Sequence, residues 1–188
     1  MNILLYFGSF NPIHTGHLII AETALQQTGA DEVWMVVSPQ SPFKQLDELM
    51  PAAQRLEMAS LATSNNPRIK VCDIEFQLPT PSYTIDTLKA LKESFPEYIF
   101  SILMGADNVS GLPRWKSFEA LINQHHIYIY RRTSEETEMP IEHIHLHLIQ
   151  GPMLDISSTY IRKCLQDGKS IRYLVPESII TLLQPPIN

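Results

Sequence analysis

Cysteine is scarce: Cys72 and Cys164 are far apart and neither sits in a close metal-type pair. No disulfide framework is indicated, and reduced thiols in a cytoplasmic protein are expected. Long apolar runs are also missing. The first, Ile3 to Phe7, ends at Gly8 with no basic region before it, too short for a signal peptide or a membrane span. Basic residues are outnumbered, and the formal charge of −6 argues against a general nucleic-acid binder, which needs a positive field. The Gly-x-Gly-x-x-Gly pattern, the P-loop ending in Gly-Lys-Ser/Thr and the His-Glu-x-x-His zinc pattern are all absent. There is no repeat, low-complexity tract or linker.

What remains is the profile of one soluble α/β domain, with 44% hydrophobic and 18% charged residues in 188. Within this acidic chain Arg162, Lys163, Lys169 and Arg172 fall close together, a local basic site suited to a small anionic ligand. The most informative stretch is Tyr6 to Leu18, YFGSFNPIHTGHL. Its apolar start reads as the end of a buried strand. Gly8-Ser9 supplies a tight turn open to a ligand, and Asn11-Pro12 a second turn before a helix opening near Ile13 or His14. His14 and His17 share a helix face one turn from that N-terminus, where free N–H groups and the positive helix end favour phosphate. The same residues also fit a helix cap, surface histidines or half a metal site, and residue chemistry alone leaves these open.

Strands are expected at Glu32 to Val37, Arg68 to Asp73, Tyr98 to Met104, His126 to Tyr130 and His143 to Ile149. Helices are expected at Thr15 to Thr28 with a Gly29 stop, and from Pro51 to Thr63. Further helices fall around Ile85, Leu88, Leu91 and Phe95, at Ser117 to Asn123, at Ser158 to Gln166 and at Pro176 to Leu183. Ser38 to Met50 and Leu78 to Ser82 read as loops, Gly105-Ala106-Asp107 as a turn, and Ser134 to Met139 as an acidic solvated loop. Strands alternating with helices imply a parallel sheet covered on both faces, with ligands at the strands' C-terminal ends. His143, His145 and His147 alternate on one strand face, opposite Ile144, Leu146 and Leu148; a half-exposed strand is favoured over a metal site.

Two motifs carry a family resemblance. GSFNPIHTGH resembles the first signature of the nucleotidyltransferase superfamily with the His-x-Gly-His motif, and ISSTYIR, Ile156 to Arg162, resembles its second. Between them SPQSPFK, PSYTIDTL and MGADNVSGLPRW are similar to internal blocks of bacterial nicotinate-nucleotide adenylyltransferases, as is the tail YLVPESI. The resemblance spans nearly the whole chain. It implies a single-domain, Rossmann-like α/β fold over residues 1–188. It also implies AMP transfer from ATP to nicotinate mononucleotide, giving deamido-NAD and pyrophosphate, with Mg²⁺ entering on the triphosphate.

By the same resemblance His14, His17, Lys44 and Arg162 are the catalytic set. Gly8, Ser9, Phe10, Gly105, Asp107, Ile156, Ser157, Ser158 and Thr159 would bind ATP. Tyr83, Thr84 and Trp115 would hold nicotinate mononucleotide, although as residues alone they also fit core aromatics. Three positions depart from the family pattern. Phe7 stands for glycine, Asn11 for aspartate, and Phe43 for the histidine before the lysine. Nicotinamide mononucleotide is the alternative acceptor, and pantetheine phosphate or a non-catalytic nucleotide-binding module are weaker readings. The expected partners are small molecules, not nucleic acid or membrane, with a homo-oligomer left open.

Overall fold

The computed structural model describes residues 1–40, 49–131 and 142–183. The elements run β1 (Asn2–Gly8), α1 (Thr15–Thr28), β2 (Glu32–Val37), α2 (Ala52–Thr63), β3 (Ile69–Cys72) and α3 (Thr84–Ser94). They continue with β4 (Ile99–Gly105), α4 (Phe118–Gln124), β5 (Ile127–Tyr130), β6 (Leu146–Ile149), α5 (Ser158–Gln166) and α6 (Glu177–Leu183). The strands form one sheet in the order β3-β2-β1-β4-β5-β6, every pair parallel. The chain winds outward from β1 to one edge, then returns to pair β4 on the other side of β1. Loops leaving the C-terminal ends of β1 and β4 therefore diverge, and a crevice opens between them. This is the doubly wound, Rossmann-like arrangement expected.

Alternation along β1 builds the two layers. Leu4 and Tyr6 face a core completed by Ile20, Ala24 and Leu25 of α1, Met58 and Ala59 of α2, Ile161 of α5 and Ile179 of α6. Ile3 and Leu5 face the opposite core, with Leu88 and Leu91 of α3 and Leu121 and Ile122 of α4. Each fully buried aliphatic side chain contributes about 1.5–3 kcal/mol, so shifting β1 by one residue would exchange both faces at once. α1 ends as expected, at Gly29 in the left-handed region (φ 68°).

Several elements differ in detail from the sequence expectation. β3 is shorter and runs into a 3₁₀ segment, Ile74–Gln77, and the expected turn after β4 is a longer 3₁₀ segment, Ala106–Arg114. Phe95 lies beyond the end of α3, where its ring stacks on Tyr98 at 5.2 Å instead of continuing the Leu88/Leu91 stripe. β6 begins only at Leu146. Before it the His145 ring bonds the Ile122 carbonyl at 2.8 Å, while Ile144 is left 81% exposed. His147 pairs with His126 at 2.8 Å. Among the described residues no group of three His, Cys, Asp or Glu side chains could hold a metal ion. The acidic run 134–139 and most of the loop after β2 lie outside the described residues.

The loop ends above the sheet are held by an arginine. Arg55, in the first turn of α2, is 1% exposed. Its Nη1 donates to the carbonyls of Ser9 (2.6 Å) and Ser38 (2.8 Å), its Nη2 to Pro39 (2.8 Å) and its Nε to Met50 (2.9 Å). One guanidinium thus joins the turn after β1, the end of β2 and the start of α2. Its planar fork suits four acceptors spread in this way. Burial pulls its pKa below the ordinary arginine value, but a guanidinium stays charged in water at neutral pH. Removing it leaves four main-chain carbonyls without their donor. Arg55→Ala is expected to cost on the order of 3–5 kcal/mol of unfolding free energy, measured by urea denaturation. Arg55→Lys should recover only part of this, because its donors sit on one atom. A loss under about 1 kcal/mol for Arg55→Ala would contradict the assignment.

Candidate active site

A cleft of about 510 Å³ opens at the crevice between the C-terminal ends of β1 and β4. Gly8, Ser9 and Phe10 form its floor at the turn after β1. Phe10 is buried and adopts a left-handed backbone (φ 44°), which lays its ring beneath Gly8. A Cβ at Gly8 would stand 2.9 Å from Cζ of Phe10, so any larger residue here would have to displace the buried Phe10 ring. The Phe10 ring meets His17 edge-on at 5.0 Å and thereby fixes one side of that imidazole.

His14 caps α1 and is 1% exposed, and His17 lies one turn on. Their rings stack with centroids 3.6 Å apart. The His14 amide donates to Nδ1 of His17 at 3.2 Å. The neutral His17 ring must therefore carry its proton on Nε2, which makes that atom a donor. One expectation is corrected. Three of the N–H groups at the start of α1, those of His14, Thr15 and His17, are not open because they already have acceptors. Thr15 donates to the Leu174 carbonyl at 2.9 Å and His17 to the His14 carbonyl at 2.9 Å. Anion binding at α1 falls to the imidazoles and the helix field, with fewer amides than a bare helix end would offer.

The second signature closes over the first. Ser157 caps α5 by accepting the Tyr160 amide, and the Ser158 hydroxyl donates to the Pro12 carbonyl at 2.9 Å. Arg162 Nη1 donates to the Asn11 carbonyl at 2.8 Å, and Nη2 to Thr159 Oγ1 at 3.3 Å. Asn11 itself is buried, and its Oδ1 accepts the Met50 amide at 2.9 Å. An aspartate, the commoner family residue, would serve that acceptor role equally. The departure at Asn11 keeps the loop geometry and removes a charge.

The far wall includes the N-terminus of α3, capped at Tyr83. The amides of Tyr83 and Thr84 have no acceptor among the described residues, and both residues line the cleft. Lys116 Nζ lies 4.8 Å from the Tyr83 ring centroid and pairs with Asp86 at 2.7 Å. Trp115, Gly105 and Asp107 also line the cleft.

The cleft thus gathers Gly8, Ser9, Phe10, His14, His17, Tyr83, Thr84, Gly105, Asp107, Trp115, Ser157, Ser158, Thr159 and Arg162. Ile156 does not line it; this residue packs against the core beside Gly16. Lys44 and Phe43 lie outside the described residues. Sequence reasoning missed Arg55, Arg114 and Lys116, and also Glu75, which is 1% exposed and lines the cleft. Burial raises the Glu75 carboxyl above its ordinary range, and the hydroxyls of Ser38, Thr87 and Ser82 offset part of that rise.

Residues 5–164 match the cytidylyltransferase-like family model. A protein of Flavobacterium psychrophilum named "Probable nicotinate-nucleotide adenylyltransferase" is 46% identical over 95% of this chain and 94% of its own. One of the same name from Cytophaga hutchinsonii is 44% identical over 97% of this chain and 95% of its own. The fold is shared with the Plasmodium falciparum nicotinic acid mononucleotide adenylyltransferase complexed with NaAD. The TM-score is 0.78 at 24% identity, with 100% of this chain and 99% of that one covered. The chain belongs to the cytidylyltransferase-like family and, within it, to the nicotinate-nucleotide adenylyltransferases.

Proposed function

We propose that this protein transfers AMP from ATP to nicotinate mononucleotide, releasing pyrophosphate and giving deamido-NAD. The observation that carries the reading is the meeting of two anion-receptive walls in one cleft. On one side stand His14, His17 and the first turn of α5; on the other, the N-terminus of α3 with the amides of Tyr83 and Thr84. The names of the relatives support the same reading.

In this reading the triphosphate lies along the β1 turn, between the histidines and the Ser157–Arg162 turn. Gly105 and Asp107 face the nucleoside. A phosphate oxygen of nicotinate mononucleotide attacks the α-phosphorus of ATP. The bond to the bridging oxygen breaks, and that oxygen leaves with its electron pair on pyrophosphate. His17 Nε2–H donates to oxygen that gains charge as this happens, and Arg162 stabilises the departing end. Positioning supplies much of the rest, since two anions must be brought together in line. Asp107 and the serine hydroxyls are hard oxygen donors that suit Mg²⁺, which would be bound mainly by phosphate oxygens and water and would neutralise triphosphate charge. Lys44, outside the described residues, is assigned to phosphate contact in this reading by the sequence resemblance alone.

The acceptor's ring carboxylate would lie on the amides of Tyr83 and Thr84, with Trp115 against the ring. A carboxylate accepts from both amides, whereas a carboxamide turns its NH₂ toward one donor. The difference is roughly 1.5–3 kcal/mol, or about 10- to 150-fold.

Two measurements test this. At saturating ATP and Mg²⁺, kcat/KM for nicotinate mononucleotide should exceed that for nicotinamide mononucleotide by about 10- to 150-fold. Equal values, or preference for the amide, would reject the carboxylate site. His17→Ala should lower turnover about 10²- to 10³-fold while KM values move much less. Normal turnover with weaker ATP binding alone would remove His17 from the chemistry.

A further inference from the structure

Glu75 has no part in the chemistry above, yet it is a buried carboxyl group in the cleft wall. It sits in the 3₁₀ segment Ile74–Gln77, which packs against β2 and α3. Its Oε1 accepts from Thr87 Oγ1 at 2.8 Å, and the same hydroxyl lies 3.2 Å from the carbonyl of Tyr83, the cap of α3. The carboxyl is thus one hydroxyl removed from the helix end whose amides face the cleft. Only the Thr87 contact has full hydrogen-bond geometry. Oε2 of Glu75 and the Ser82 hydroxyl complete no hydrogen bond among the described residues, and both residues line the cleft.

We infer that Glu75, acting through Thr87 on the N-terminus of α3, is a positioning residue that sets the preference for a carboxylate over a carboxamide on the acceptor ring. The inference rests on the reading above, that the acceptor's ring substituent lies at this helix end. The physical basis is the helix field. A neutral Glu75 leaves the positive end of α3 uncompensated, so an anion gains there. An ionised Glu75 cancels part of that field and repels the incoming carboxylate, while a neutral carboxamide is little affected. Burial favours the neutral form.

α3 turns Thr87 toward Glu75, while Asp86 is bound to Lys116. Ser38, just after β2, lies at this end, and Glu32 of β2 is paired with Lys70 at the other. On the segment leading to Glu75 the titratable neighbours are Asp73 and Cys72, whose thiol burial pushes up to about 11. Arg55, beyond Ser38, has its donors on main-chain carbonyls.

The test is the ratio of kcat/KM for nicotinate mononucleotide to that for nicotinamide mononucleotide, measured against pH in wild type and Glu75→Gln. Titrations common to both acceptors, such as their phosphates, cancel in the ratio. As pH rises through the raised range in which the buried Glu75 carboxyl ionises, above that of an ordinary carboxylate, the wild-type ratio should fall on the order of ten-fold. Glu75→Gln keeps the shape and the acceptor for Thr87 without the charge, so its ratio should stay within about two-fold throughout. A merely structural role for Glu75 would not change the slope of this ratio. A flat wild-type ratio, which needs no variant to observe, would overturn the inference, as would a Glu75→Gln ratio that falls in step with wild type. In both cases a standing preference for the carboxylate would leave the proposed function intact. A wild-type enzyme that prefers the amide at every pH would instead overturn the reading beneath it.

Discussion

The cleft depends on a buried cation that has no carboxylate partner among the described residues. Arg55 stands at the crest of the sheet and bonds four main-chain carbonyls from the β1 turn, the β2 end and the entry to α2. A carboxylate partner would have made a stronger local pair. Carbonyls do something different: they let one charge hold several chain segments in a fixed relation. The Ser9 carbonyl it holds belongs to the turn whose glycine admits the Phe10 ring, and Phe10 in turn bears on His17.

A second tie runs from the far end of the chain. Ser158 and Arg162 bond the carbonyls of Pro12 and Asn11, and Leu174 takes the Thr15 amide. The β1–α1 loop is therefore gripped from α2 on one side and from α5 and its following segment on the other. These bonds also engage several groups that a bare motif would seem to offer to a nucleotide. The Ser158 hydroxyl faces a carbonyl and the Ser157 hydroxyl an amide, so neither is placed beside a base that could activate it as a nucleophile. The site is suited to direct transfer between bound substrates.

The parts legible in the sequence were those governed by local pattern. Apolar runs located every strand of the sheet, and the left-handed stop at Gly29 follows from a single residue. His14 and His17 were legible because three residues of helix bring them together. Arg55 was not, since its partners come from separate segments; the available signal was its place on the buried stripe with Met58 and Ala59. Glu75 reads in DIEF as an ordinary acidic residue and is buried only because α3 and β2 fold over it. The amides of α1 looked open because the carbonyl that closes one of them, Leu174, lies at the other end of the chain. β6 came out shorter than its alternation because the His145 ring bonds the Ile122 carbonyl before the strand begins.

Catalysis on this account comes from holding two phosphates in line and stabilising charge on the leaving oxygens, with no covalent adenylyl-enzyme. The stereochemical course at the α-phosphorus tests that claim most directly. One diastereomer of ATP bearing sulfur on the α-phosphorus would be converted with nicotinate mononucleotide, and the configuration of the phosphorothioate product determined. A single in-line displacement inverts the centre, and inversion is the expected result. Retention would require two displacements through an enzyme-bound intermediate and would contradict the account.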